Sequence, residues 1–247
     1  MKLCGRCFGG KMDKLYIVIP AYNESENIRQ LVEDWYPVIE KHNGEGESRM
    51  VVIDDGSRDN TFEILCEMSK DRPLLQPLTK ENGGHGATVL YGYKYALAHG
   101  ADYIFQTDSD GQTLPEEFEP FWKRRKKYDM VIGWRRNRGD GAGRVFVTKT
   151  LRKVINLCFR VKIPDANTPY RLMNARTLEK YIDIIPEDYF LTNVVVSVIF
   201  KRKGCRTRYI PITFRPRQGG VNSINMIKII KIGTQALRDF RMINKRL

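Results

Sequence analysis

LYIVIPAYNE, residues 15–24, decides how the chain is read. Leu15 to Pro20 are apolar and rich in β-branched side chains, as in a short strand buried on both faces. The run then breaks into Tyr22-Asn23-Glu24, a polar loop carrying one aromatic ring. A buried strand that opens into a polar loop is half of a βαβ unit, and the chain repeats the pattern.

Ser25 stands where it can cap a helix over about residues 26–42, with Ile28, Leu31, Val32, Trp35 and Ile39 on one face. After a loop at 43–48, Met50–Ile53 reads as a second buried strand, ending at Asp54-Asp55-Gly56-Ser57. A helix from about 60 to 70 and a short strand near 74–78 follow. Gly83-Gly84-His85-Gly86 opens another helix, to about His99. Asp102–Thr107 is the next strand, Pro115 begins a helix through 127, and Asp129–Gly133 is a further strand. Five alternations of strand and helix predict an α/β fold with a mainly parallel sheet. In such sheets ligands bind beyond the carboxyl ends of the strands. PAYNE (20–24), DDGSRDNT (54–61), TDSDGQ (107–112) and GWRRNRGDG (133–141) all follow strands and are expected along one edge.

Beyond residue 144 the expectation is a helix over 144–159, an irregular DANTPYRL segment (165–172) and helices over 175–183 and 190–203. A strand near 206–214 and the basic loop RPRQGGVNS (215–223) come next. In the last segment Ile224, Met226, Ile227, Ile230 and Leu237 form a stripe beside Lys228, Lys231, Arg238 and Arg241. Such a helix suits either an anionic membrane surface or the protein core. The expected organisation is a disordered leader over 1–13, one domain over 14–223 and the amphipathic helix over 224–247.

Lysine and arginine number 42 against 29 acids, a net charge of +13. That excess fits nucleic acid, anionic lipid or a polyanionic substrate. Zinc spacing, helix-turn-helix and aromatic RNA-binding patterns are missing, which argues against nucleic acid as partner. No apolar run approaches the roughly eighteen residues of a membrane span. The N-terminus lacks an apolar core of signal-peptide length, so the expectation is a cytoplasmic protein with reduced thiols. Cys4-x-x-Cys7 alone is weak evidence for zinc.

Asp108 and Asp110, with Gln112 two residues on, are the most chemically pointed feature. Mg²⁺ and Mn²⁺ take carboxylate and carbonyl oxygens and leave positions for phosphate. Turn and capping chemistry is the competing explanation. For Asp54 and Asp55 it is the stronger one; the functional alternative has one acid facing a base or ribose and the other orienting the loop. Tyr22 offers a stacking face. Asn82–Gly86 is glycine-rich before a helix, where amides can approach phosphate, but it is neither a dinucleotide fingerprint nor a P-loop. His85 reads as a plain loop histidine.

Taken in order, PAYNE, DDGS and the Asp-x-Asp motif resemble the family 2 glycosyltransferases of the GT-A fold, and among them the polyprenyl-phosphate glycosyltransferases. The likeness runs over about residues 15–223. It implies that Pro20, Tyr22, Glu24 and Asp55 lie in the nucleotide-sugar pocket. Asp108 and Asp110 would hold Mn²⁺ or Mg²⁺ against the diphosphate, with Gln112 as a further ligand. Arg135, in a Gly-Trp-Arg that resembles the family's Gly-Ser-Arg, and Arg144 and Thr148 would meet acceptor or donor phosphates, as would Arg217 and Ser223 in the late loop. Asp108, Asp110, Arg135 and Arg144 are thus the expected catalytic group. Asp165 and Arg171 fall where the family has an Asp…Gly-Phe-Arg segment, here with Pro169-Tyr170. The start of the late helix reads Leu191-Thr192-Asn193, without the acid that deprotonates sugar hydroxyls in relatives. A phosphate acceptor is already anionic near neutral pH and needs arginines instead.

The resemblance implies an inverting, metal-dependent enzyme that passes sugar from a UDP- or GDP-linked donor to a polyprenyl phosphate. It would work peripherally at an anionic cytoplasmic membrane face, alone or with a membrane-anchored partner. The alternatives are transfer to a saccharide hydroxyl and, from another class, nucleic-acid binding. A sugar nucleotidyltransferase would carry its glycine-rich loop after the first strand, where PAYNE stands.

Overall fold

The computed structural model describes residues 13–43, 46–135, 141–216 and 239–246, with only the backbone over 141–149. Its strands are β1 (Leu15–Ala21), β2 (Arg49–Asp54), β3 (Leu75–Thr79), β4 (Tyr103–Gln106), β5 (Met130–Arg135), β6 (Arg171–Asn174) and β7 (Thr207–Ile212). They form one sheet in the order β3-β2-β1-β4-β6-β5-β7. β6 is antiparallel to both its neighbours, and the remaining pairings are parallel. The helices are α1 (Ile28–Lys41), α2 (Thr61–Ser69), α3 (His85–Ala98), α4 (Glu119–Trp122), α5 (Gly141–Phe159), α6 (Ala175–Glu179) and α7 (Thr192–Arg202). Residues 239–246 add a last helical segment, α8.

Side-chain alternation along the strands builds two cores. Tyr16, Val18, Val51, Ile53 and Ile104 face α3 and α7. Ile17, Ile19, Met50, Val52 and Phe105 face α1 and α2, with Trp35 the largest side chain buried there. All seven residues of β1 are buried, as a strand covered on both faces requires. α3 lies unusually close to the sheet. A Cβ on Gly92 would come within 2.4 Å of Val18 Cγ1, so that approach needs a residue without a side chain.

Three local expectations are corrected. The supposedly irregular DANTPYRL segment runs into β6 at Arg171 and Leu172, and that strand is too short to show a period. Its place is fixed by partners on both sides, Phe105 and Val131 opposite Leu172. The helix expected over 115–127 is a 3₁₀ turn at Pro115–Glu117 and then the single turn of α4. The basic run from Lys123 to Lys127 would repel itself along a longer helix. Ser25 does not cap α1, which starts at Ile28. Its backbone N–H donates to Asp59 Oδ2 at 3.2 Å, so it serves the loop instead. Of the two settings open to the C-terminal segment, its end takes the core: Phe240 and Ile243 are buried there and Phe240 meets Phe159 at 5.1 Å. The stripe expected between Ile224 and Leu237 lies outside the described residues.

Candidate active site

Because β6 runs backwards, its N-terminal end shares an edge with the C-terminal ends of the other six strands. That edge is tied together loop by loop. Asn23 N donates to Ser57 Oγ at 2.9 Å, Arg58 N to Asn23 Oδ1 at 2.8 Å and Glu24 N to Thr61 Oγ1 at 2.9 Å, joining the loops after β1 and β2. Asp55 joins the loop after β2 to the one after β3. It accepts from Lys80 Nζ at 2.6 Å, Gly83 N at 2.9 Å and Gly84 N at 2.8 Å. His85 Nε2 then reaches Asp108 Oδ1 at 2.9 Å, after β4. Gln112 closes the far side. Its Nε2 donates to Arg215 O and its carbonyl accepts from Arg215 N, both at 2.8 Å.

Several expected site residues are therefore spent on the loops. Pro20 is buried within β1, and Glu24 is 6 % exposed, accepting from Asn27 Nδ2 at 3.0 Å. Asp54 accepts from Ser57 N and from Thr79 Oγ1. The sequence reading gave only one of Asp54 and Asp55 the loop-orienting part, but both hold loops, and Asp55 is 3 % exposed. Tyr22 differs: its ring is 42 % exposed at the mouth of the edge.

Burial works against the charge on Asp55, yet the hydrogen bonds from Lys80 and Gly83 hold its carboxyl below the ordinary 3.8. A lowered carboxyl pKa contributes stability that is present above the ordinary value and lost as pH falls through the folded one. Asp55→Asn is thus expected to lower stability at pH 7 by about 1–3 kcal/mol. In urea melts the gap to the wild type should narrow below the ordinary 3.8. A constant gap across pH would mean that the carboxylate charge is not what holds the glycine loop.

Asp108 and Asp110 lie partly open after β4. Desolvation opposes charge on both members of the His85–Asp108 pair, but their mutual attraction and hydrogen bond win. The Asp108 carboxyl is held below its usual range and the half-exposed His85 ring above its own. Asp110 Oδ1 accepts from Gln112 N at 3.2 Å. Among the described residues no three His, Cys, Asp or Glu side chains form a cluster able to hold a metal. The donor set suits a hard cation that arrives with phosphate oxygens, for which one or two carboxylates suffice. Gln112, expected as a metal ligand, is 7 % exposed and clamped by its nitrogen.

Arg135, expected to meet phosphate, is engaged within the fold: its Nε and Nη2 donate to Asp165 Oδ2 and Oδ1 at 2.7 and 2.9 Å. The side chains are 8 % and 6 % exposed, and the guanidinium lies 4.9 Å over the Phe214 ring. A bidentate pair this buried neutralises the arginine and fixes the end of β5 to the segment before β6. Arg171, fully buried, is likewise structural. It donates to the carbonyls of Ala166, Thr168 and Asn193, bracing that segment against α7. The Arg144 and Thr148 positions fall in α5, where only the backbone is described, and Arg217 and Ser223 lie outside the described residues.

The sequence reading missed the contacts of His85, Lys80 and Phe214. Lys80 and His85 sit in TKENGGHG after β3, so the rule that placed the other loops on this edge was sufficient to include them. Phe214 carries no comparable signal.

The family profile described as "Glycosyl transferase family 2" matches residues 16–182. The chain belongs to that family. It is 25% identical over 225 residues to the undecaprenyl-phosphate 4-deoxy-4-formamido-L-arabinose transferase of Proteus mirabilis, covering 90% of this chain and 66% of the relative. The enzyme of the same name from Pectobacterium atrosepticum is 25% identical over 219 residues, 87% of this chain and 64% of that one. The chain thus spans a little under two thirds of these relatives. In fold it resembles glucosyl-3-phosphoglycerate synthase from Mycobacterium tuberculosis, solved with Mn²⁺, UDP-glucose and phosphoglyceric acid. There the TM-score is 0.66 at 16% identity, over 93% of this chain and 80% of that one. It also resembles S. aureus TarS 1–349 in complex with UDP-GlcNAc, with a TM-score of 0.55 at 17% identity, over 89% of this chain and 65% of that one. The GT-A fold expected from the loops is the fold observed.

Proposed function

We propose that this protein is an inverting glycosyltransferase that moves a sugar from a UDP- or GDP-linked donor to a polyprenyl phosphate at a membrane surface. The observation that carries the reading is the pair of strand-end carboxylates, Asp108 and Asp110, on the same edge as the open ring of Tyr22. The names of the curated relatives, both undecaprenyl-phosphate sugar transferases, favour this acceptor class.

In this reading Tyr22 stacks on the donor base, while Asp55 holds Lys80 and the Gly83-Gly84 backbone beside the nucleotide. His85 orients Asp108. Mn²⁺ or Mg²⁺ would be held by Asp108 and Asp110, with Gln112 Oε1 as a further donor, and would neutralise charge on the departing nucleoside diphosphate. The acceptor phosphate, already an anion, needs no protein base. α7 accordingly has no acid in its first turn, and Glu187 before it is 88 % exposed and paired with Lys94. Arg144, Thr148, Arg217 and Ser223 are the residues we assign to acceptor and donor phosphates. Arg135 acts at one remove, through Asp165 and the end of β5. Residues 14–223 form the catalytic domain in this reading, and residues 224–247 are the segment we assign to the membrane surface.

Calorimetric titration with UDP and with GDP, with and without Mn²⁺, tests the first half. Mn²⁺ is expected to tighten the preferred nucleotide by about tenfold or more, ~1.4 kcal/mol. Equal affinity with and without metal would remove the carboxylate pair from the mechanism. Transfer to short polyprenyl phosphates, assayed with each sugar nucleotide that binds, tests the second half.

A further inference from the structure

α5 and α8 pack side by side, with Phe159 and Phe240 edge to face and Ile155 and Ile243 in the core beneath. Their buried sides are thus accounted for. On their solvent sides stand the two most exposed large apolar side chains among the described residues, Leu157 at 80 % and Met242 at 56 %. Arg152 and Lys153 on α5, Arg160 directly after it, and Arg241 and Lys245 on α8 are exposed as well, while Asp188 and Asp239 line the cleft beside Met242. Among the described residues of α5 and α8 no acid occupies an exposed position. Cations alone would suit any polyanion, and a nucleic-acid backbone would have no use for the leucine and methionine. Exposed apolar side chains on two helices whose exposed charges are all basic match the boundary of an anionic bilayer, where acyl chains lie beneath phosphates.

This face also lies close to the catalytic edge. A cleft of about 250 Å³ between the 186–190 segment and α8 is lined by Tyr189, Phe190, Met242 and Ile243. The other side of that segment abuts Gly86, where a Cβ would meet Tyr189 O at 2.3 Å. One short segment therefore separates Met242 from the residue next to His85. We propose that the solvent side of α5 and α8 is a lipid-docking face, with Leu157 and Met242 entering the headgroup boundary and the five cations meeting lipid phosphates. This deepens the lipid-phosphate reading and rests on it for its purpose, though its test is separate.

The test is flotation of the full chain with phosphatidylcholine vesicles, with and without phosphatidylglycerol, and with duplex DNA in a parallel titration. Binding is expected only to the anionic vesicles and should weaken with salt. The double variant Leu157→Ser with Met242→Ser is expected to bind about tenfold more weakly or worse. The double variant Arg160→Gln with Lys245→Gln should lose about fivefold per cation. Both variants alter exposed positions, and an unchanged melting temperature confirms that each is folded. No binding to anionic vesicles overturns the proposal, and so does wild-type binding by the serine variant. Tight DNA binding that the serine variant retains, without vesicle binding, assigns the cations to nucleic acid and overturns it too. Transfer to a water-soluble short-chain prenyl phosphate is expected to be unchanged in the serine variant. If no prenyl phosphate accepts sugar while vesicle binding behaves as stated, the acceptor reading fails and the docking face stands.

Discussion

Asp110→Asn is expected to lower transfer by at least about a hundredfold while leaving the fold intact. The substitution removes a negative charge where a cation and a diphosphate are to meet, but keeps an oxygen at Oδ1. That oxygen can still accept from Gln112 N, the 3.2 Å bond that shapes the loop. Melting temperature should therefore barely move, while the Mn²⁺-dependent part of nucleotide affinity disappears. Asp108→Asn is a less clean probe, since it also weakens the contact with His85. Turnover at saturating donor, measured beside a thermal melt, decides the matter. An Asp110→Asn enzyme that works at the wild-type rate would mean that the Asp-x-Asp loop serves only as a turn.

The second large effect is on stability. Asp165→Ala leaves the Arg135 guanidinium buried without its carboxylate. Removing one partner of a buried pair typically costs about 3–5 kcal/mol. For a chain of this size each kcal/mol moves the melting temperature by about 2–4 °C, so a fall of roughly 10 °C is expected. The double replacement Arg135→Met with Asp165→Leu should recover most of it, since no stranded charge remains. If Asp165→Ala melts like the wild type, the pair is not what fixes the end of β5. If the apolar double variant regains stability but not activity, Arg135 has a part in the reaction beyond holding the fold.

The loop logic was legible because it depends on one-dimensional facts. A parallel strand buried on both faces must be a continuous apolar run, as in LYIVIP and MVVI, and its loop must be polar because it returns to solvent. From this alone PAYNE, DDGS and DSDGQ fall on one edge. β6 was hidden because four residues carry no usable period, and only Phe105 and Val131 on either side select Leu172 as a strand residue. The Asp165 partner of Arg135 was hidden for a related reason. An arginine after a strand looks the same in sequence whether it faces a phosphate or a carboxylate thirty residues away, and the antiparallel return of β6 brings Asp165 to it.

The sequence by itself determined the alternating α/β architecture, the edge that the strand-end loops share and the place of the acid pair on it, because periodicity and strand-end loops are local properties. Tertiary structure decided which charged residues are free to act. Asp55 and Arg135 are consumed by Lys80 and Asp165, His85 is recruited to Asp108, and Leu157 and Met242 are left in solvent. Those outcomes depend on which desolvated group finds a partner across the fold, and spacing along the chain does not encode that.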